Sequence, residues 1–264
     1  MSRFEELLGT DFDGRPTTDL DDVVYEGLDD SRHRERVPGL VALMNDESAA
    51  ERERFLACVA LTTWAEPAGY DAVVRAAADP KRAPWYDILI DRKFSVDNTF
   101  AQLSLAVSDS DVLAEEKGTL DQRVEAFRSL VRIADSEYFD EKLGDLLDAR
   151  SVAAVLPDIR AVVGRGVAAL AAREPSSFDL ATQLVDLAAA VATVDGPTAV
   201  GLATDVLGSA ASQRALIHAV AIVHRSRSPE CRRFGEYLST IGDDEVRAQV
   251  AAAQARREDG GRPS

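Results

Sequence analysis

The residues able to do chemistry are few and scattered. The 264-residue chain holds three histidines, His33, His218 and His224. His218 and His224 are six residues apart, which on a helix turns them about 240° from one another, so they share no face. Neither a His-Glu-x-x-His nor a Cys-x-x-Cys spacing occurs, which argues against a zinc site. His218 reads as a core or groove residue making one hydrogen bond. The two cysteines, Cys58 and Cys231, lie far apart inside helical patterns. They read as buried thiols in a reducing compartment rather than as a disulfide framework. Asp11-Phe12-Asp13-Gly14 opens like a calcium loop, but the register fails, because the position that must be glycine is Pro16. Gly164-Arg165-Gly166 sits in a helical pattern with no strand before it, and there is no Gly-Lys-Ser/Thr or Gly-x-Ser-x-Gly. The expectation is a protein without catalytic residues, metal or cofactor.

The most unusual stretch runs from Lys81 to Phe100. It places Trp85, Tyr86, Phe94 and Phe100 beside Arg82, Asp87, Asp91, Arg92, Lys93 and Asp97. Aromatics and arginines mixed with acids match the make-up of interface hot spots. Trp85, Tyr86, Asp87, Asp91, Arg92, Lys93 and Asp97 are therefore the candidate partner-binding residues. Two roles are open for the apolar members. Trp85, Ile88 and Phe94 either fill the core where the helical rhythm breaks or form an exposed contact site. The charged members face water or a partner in both cases.

The elements that must position this stretch are helices. Alanine and leucine are prominent and aromatics make up only 6% of the chain, a composition that favours helix over strand. Thr18 caps a predicted helix over Asp19 to Leu28, with acids in its first turn. Pro38 opens the next. Ser48 with Glu51 forms a capping-box pattern for a helix ending near Glu66. Pro67 begins another, which stops before Pro80. A helix resumes near Asn98, and a polar gap from Ser108 to Gly118 separates it from an amphipathic helix through Val124, Phe127, Leu130 and Val131. Further helices are expected over Phe139 to Ala149, from Pro157, after Ser177, from Pro197, after Ser212 and from Pro229, with Asp243 capping the last. No credible strand appears.

Charge narrows the class of partner. Residues 1–150 carry 18 Lys and Arg against 33 Asp and Glu, net −15, whereas residues 151–264 carry 12 against 13. That field repels nucleic acid and acidic membranes and favours a basic protein partner, or serves as a solubility device. The apolar runs Val167 to Ala172 and Leu187 to Val194 are too short to cross a bilayer. Met1 to Glu6 is charged and lacks the apolar stretch of a signal peptide. Cytoplasm is the expected location.

Helix pairs recur: a long apolar helix, a short turn with Pro or Gly, then a shorter helix. Phe55-Leu56 to Glu66-Pro67-Ala68-Gly69 and on to Val73 parallels Leu184 to Asp195-Gly196-Pro197 and on to Val200, and Leu216 to Ser228-Pro229 and on to Phe234. The spacing is that of helical-hairpin repeats, with a compact irregular bundle as the alternative. In this rhythm the chain resembles the HEAT-like family of α-helical repeat proteins over about residues 19–255. The resemblance implies an all-α, HEAT/armadillo-like solenoid as a single domain over 19–255, after an irregular segment 1–18 and before a disordered tail 256–264. It also implies a non-catalytic scaffold that binds another macromolecule. Some bacterial immunity proteins that neutralise toxins look like this, as do regulatory adaptors, and HEAT-like enzymes acting on nucleic acid form the alternative.

Overall fold

The structure, a computed structural model, describes residues 2–91 and 96–259. Among these residues it is predominantly helical, with one two-residue antiparallel pairing and an isolated bridge between Thr10 and Pro16, and its contacts group residues 1–130 and 131–264 into two compact units. The sequence periodicity alone reads 19–255 as one domain.

The first unit contains α1 (Arg3–Leu7), α2 (Leu20–Val24), α3 (Glu26–Asp29), α4 (His33–Asn45), α5 (Glu51–Thr63), α6 (Pro67–Ala78), β1 (Ile90–Asp91), β2 (Val96–Asp97), α7 (Thr99–Asp109) and α8 (Asp111–Lys117). α9 (Leu120–Arg132) begins in it. The centre is α5, packed on α4, α6 and α7 and burying Phe55, Cys58 and Leu61 completely. Trp64 follows it, fully buried, with Nε1–H donating to the Val24 carbonyl at 2.8 Å. That indole explains Gly27, where a Cβ would stand 2.5 Å from Trp64 Nε1.

Several helix starts differ from the sequence expectations, each through a side chain reaching across the fold. Residues 1–18, expected to be irregular, contain α1 with a Ser2–Glu5 capping box. Arg36 then holds the segment down, donating to the carbonyls of Leu7, Thr10 and Asp11 at 2.7–2.8 Å. The same side chain lies within α4, which begins at His33, so Pro38 sits inside the helix instead of opening it. Asp19, not Thr18, caps α2. Ser48 forms no capping box, because its N–H and hydroxyl both donate to Asp46 Oδ1. The gap foreseen over 108–118 is helix α8, closed by Gly118 in the left-handed conformation.

The second unit contains α10 (Leu143–Leu146), α11 (Ala149–Ala172), α12 (Leu180–Val191), α13 (Gly196–Ser209), α14 (Gln213–Arg225), α15 (Pro229–Ile241) and α16 (Asp244–Asp259). From α11 onward each helix packs on the next and on the next but one. Every residue of α12 is buried. Pro157 lies inside α11, which starts earlier because Asp148 Oδ1 accepts the Ser151 N–H at 2.8 Å. The helix expected over Phe139 to Ala149 is reduced to α10 because Asp140 and Glu141 both adopt positive φ. Gln183 imposes that break: its amide donates to the carbonyls of Ala134 and Glu137 and accepts the Phe139 N–H, all within 2.9 Å. Arg256 to Asp259, placed in a disordered tail by composition, continue α16. Residues 260–264 lie outside the described residues.

Candidate partner-binding site

The stretch singled out in the sequence is a folded connection between α6 and α7. After a tight turn over Pro80–Arg82, Trp85 turns inward and is only 4% exposed, its ring 6.1 Å from Phe55. Trp85 is thus a core residue and offers no surface to a partner. Its Nε1–H has no acceptor among the described residues. Tyr86 is half-buried, and Asp87 is exposed with a φ of 62°. β1 and β2 pair Ile90 with Asp97 and Asp91 with Val96. Arg92 and Lys93, and Phe94 with them, lie outside the described residues. Asp97 shapes the backbone on both sides of it. Its Oδ2 accepts the Asp87 N–H at 3.1 Å, while Oδ1 accepts the N–H and hydroxyl of Thr99 at 3.1 and 2.6 Å. It closes the connection and starts α7.

This connection covers one side of an apolar slot of about 200 Å³. Leu20 and Val24 come from α2, Phe55, Leu56 and Val59 from α5, Ala106 from α7 and Leu89 from the connection. Ile90, next along, is 46% exposed. The edge is polar, with two acids, Asp21 and Asp109, beside Tyr25, Gln102 and the single cation Arg52. Tyr25 donates to Asp109 Oδ2 at 2.8 Å. Burial pushes the Asp109 carboxyl above the usual carboxylate range, against the pull of that hydrogen bond. Partial burial, and then the same bond, push the Tyr25 hydroxyl up to about 12. Outside the slot, α2 and α3 expose Asp22, Glu26 and Asp29. In all, residues 1–130 carry 15 Lys and Arg against 27 Asp and Glu, net −12.

The sequence marks the acids of α2 only as a solvated helix start, and the slot not at all. Its walls come from segments up to about ninety positions apart, and no local pattern announces such a meeting. The connection itself was visible, because a broken apolar rhythm shows in any window.

His33 and His218 occupy two settings, and His224, expected on another face of the helix, lines the same groove as His218. His33 is buried, and Lys117 Nζ donates to its Nε2 at 2.9 Å, to Glu66 Oε1 at 2.5 Å and to the Trp64 carbonyl at 2.7 Å. An ammonium cannot accept, so Nε2 is bare and Nδ1–H donates to the Asp30 carbonyl at 2.8 Å. Burial lowers the His33 pKa and keeps the ring neutral. His218 lies in a groove as anticipated, but it makes no hydrogen bond among the described residues; its nearest carboxylate, Glu141, is 3.8 Å away. Among the described residues no group of three or more His, Cys, Asp or Glu is arranged to hold a metal ion. Compared with known proteins, the chain matches no family model, no curated protein and no solved structure, so this site stands on its own chemistry.

Proposed function

We propose that the chain is a non-catalytic protein-binding scaffold whose first unit captures a basic partner, most concretely as an immunity-type protein that neutralises a basic toxin. The observation that carries this reading is an apolar slot with Asp21 and Asp109 on its polar edge, within a unit of net −12. Such a surface steers a cationic partner electrostatically and then anchors one apolar side chain, which is where contact energy concentrates. The same sign of charge works against phosphate backbones.

A HEAT-like arrangement is proposed for the second unit, supported by helices that each pack on the next and the next but one. Two buried free thiols, Cys58 and Cys231, fit the cytoplasm proposed as its location. No helix among the described residues is long and apolar enough to cross a membrane.

The test is capture at low salt by the immobilised protein, followed by mass spectrometry. The expected result is retention of a basic protein that is lost with Leu89→Asp and with the combined change Asp21→Asn, Asp22→Asn and Glu26→Gln. Retention of nucleic acid, or of the same protein by all variants alike, overturns the reading.

A further inference from the structure

The second unit holds a pocket of different character, about 260 Å³ in volume. Its most distinctive feature is Asp186 of α12, 4% exposed and yet part of the pocket lining. One carboxylate oxygen, Oδ2, accepts the Gly144 N–H at 2.6 Å, and this is the only hydrogen bond of the side chain among the described residues. No cationic side chain among them forms an ion pair with it. The close approach is built in: a Cβ at Gly144 would lie 2.3 Å from the Asp186 carbonyl oxygen and 2.9 Å from Oδ2. A buried carboxyl with one amide donor, facing a cavity, lacks the counter-charge that such groups ordinarily have.

The surrounding charges supply it only in part, at a distance from Arg225. Arg225 of α14 pairs with Asp145 of α10, and Arg214 pairs with Glu141 in the turn before α10. His218 is held neutral by burial and by Arg214, and α16 contributes the uncharged Gln249. The remaining wall is α14, which contributes the apolar strip Ile217, Val220 and Ala221 and a second imidazole, the exposed His224.

We propose that this pocket binds a primary ammonium group, with Asp186 as its counter-ion and the α14 strip against its alkyl stem. Three N–H donors of an ammonium meet acceptors of matching kind in the free Asp186 oxygen, a neutral imidazole and the Gln249 carbonyl. A guanidinium suits the site less well, because its fork wants two carboxylate oxygens and Gly144 already occupies one. A metal ion is disfavoured, since no three ligating side chains are suitably arranged among the described residues. The buried carboxyl has a further signature. Burial raises the Asp186 pKa to about 8, with Asp145 and Glu141 adding to the rise and the Gly144 N–H and Arg225 opposing it. A bound cation must therefore displace a proton below that pH, so affinity rises with pH up to about 8.

The ammonium has two sources, a lysine side chain of a protein and a free aliphatic amine. Calorimetry on the full chain with n-butylammonium and with N-acetyl-lysine methylamide separates them, with 1-butanol as the neutral isostere. Binding of either cation is expected, with proton release below pH 8, no butanol binding, and about a tenfold or greater loss in Asp186→Asn. Tighter binding of the lysine amide assigns the occupant to a protein; tighter binding of butylammonium assigns it to a free amine. Equal binding by Asp186→Asn, or by the alcohol, or no binding of either cation, overturns the proposal. Should Asp186→Asn fail to fold by circular dichroism, carbon NMR of Asp186 in the unmodified chain decides. A titration midpoint lowered by the bound amine supports the site, and an unmoved midpoint refutes it.

Discussion

A carboxyl group that stays protonated near neutral pH sets how stability responds to pH. Asp186 holds its proton up to about pH 8 in the fold, because it is fully buried, whereas the unfolded chain releases it near pH 4, as carboxylic acids in water do. A folded pKa raised above the unfolded one stabilises below the lower value, and that contribution is lost as pH rises to the upper one. Each unit of separation corresponds to about 1.4 kcal/mol. Asp186→Asn should therefore match the parent near pH 4 and exceed it by several kcal/mol at pH 8. Urea melts across that range check it, and parallel stability curves would refute it. Asp97 teaches the opposite lesson. The sequence presents it as one more acid for a partner, but its two oxygens accept three hydrogen bonds that shape the connection. Asp97→Asn should cost about 1–2 kcal/mol through those bonds alone, measured as a lowered melting temperature without any partner present.

Helices were legible wherever their start is set by local chemistry. Pro67, Pro229, Ser212 and Asp243 stand at or beside helix starts, as their side chains dictate. The failures share one cause, a distant residue overriding the local signal. Arg36 binds three carbonyls of the N-terminal segment, and Gln183 breaks the helix expected after Phe139. Neither interaction has a trace in a window of ten residues. Gln183→Leu should then cost at least about 3 kcal/mol, since it strands three backbone groups that the amide satisfies, at about 1–3 kcal/mol each. Chemical denaturation measures the loss, and a shift under about 1 kcal/mol would remove Gln183 as the organiser of that turn. The apolar stripes were legible too: Leu187 and Val220 are 0% and 2% exposed. Leu187→Asp or Val220→Asp should each destabilise by more than about 4 kcal/mol, because an unpaired charge is forced inside. Unchanged melting temperatures would contradict the burial of these faces.

Over the whole chain, negative charge is concentrated rather than spread. Residues 1–130 carry −12 of the net −16, a difference visible in the sequence before any helix is placed. The slot those charges edge was hidden, because a cavity is a property of packed side chains and not of spacing. Exposed charges act over about a Debye length, which shrinks from about 30 Å at 0.01 M salt to about 10 Å at 0.1 M. Association with a basic partner should slow as salt is raised, and the variant neutralised at Asp21, Asp22 and Glu26 should show a flatter dependence in stopped-flow mixing. A rate indifferent to salt in both proteins would place the contact away from these acids.

The two cysteines fall one to each compact unit, Cys58 in the first and Cys231 in the second, and both are fully buried. Burial pushes the Cys58 thiol up to about 12, so the folded protein presents almost no thiolate there at neutral pH. Alkylating reagents must wait for the surrounding helices to open before either sulfur reacts. The pair is thus a built-in, two-channel gauge of unfolding that needs no engineered probe. Pulsed iodoacetamide labelling along a urea gradient, read by peptide mass, should give one protection curve for α5 and another for α15. Coincident midpoints would mark a single cooperative molecule. Separated midpoints would rank the acidic half against the half that holds Asp186.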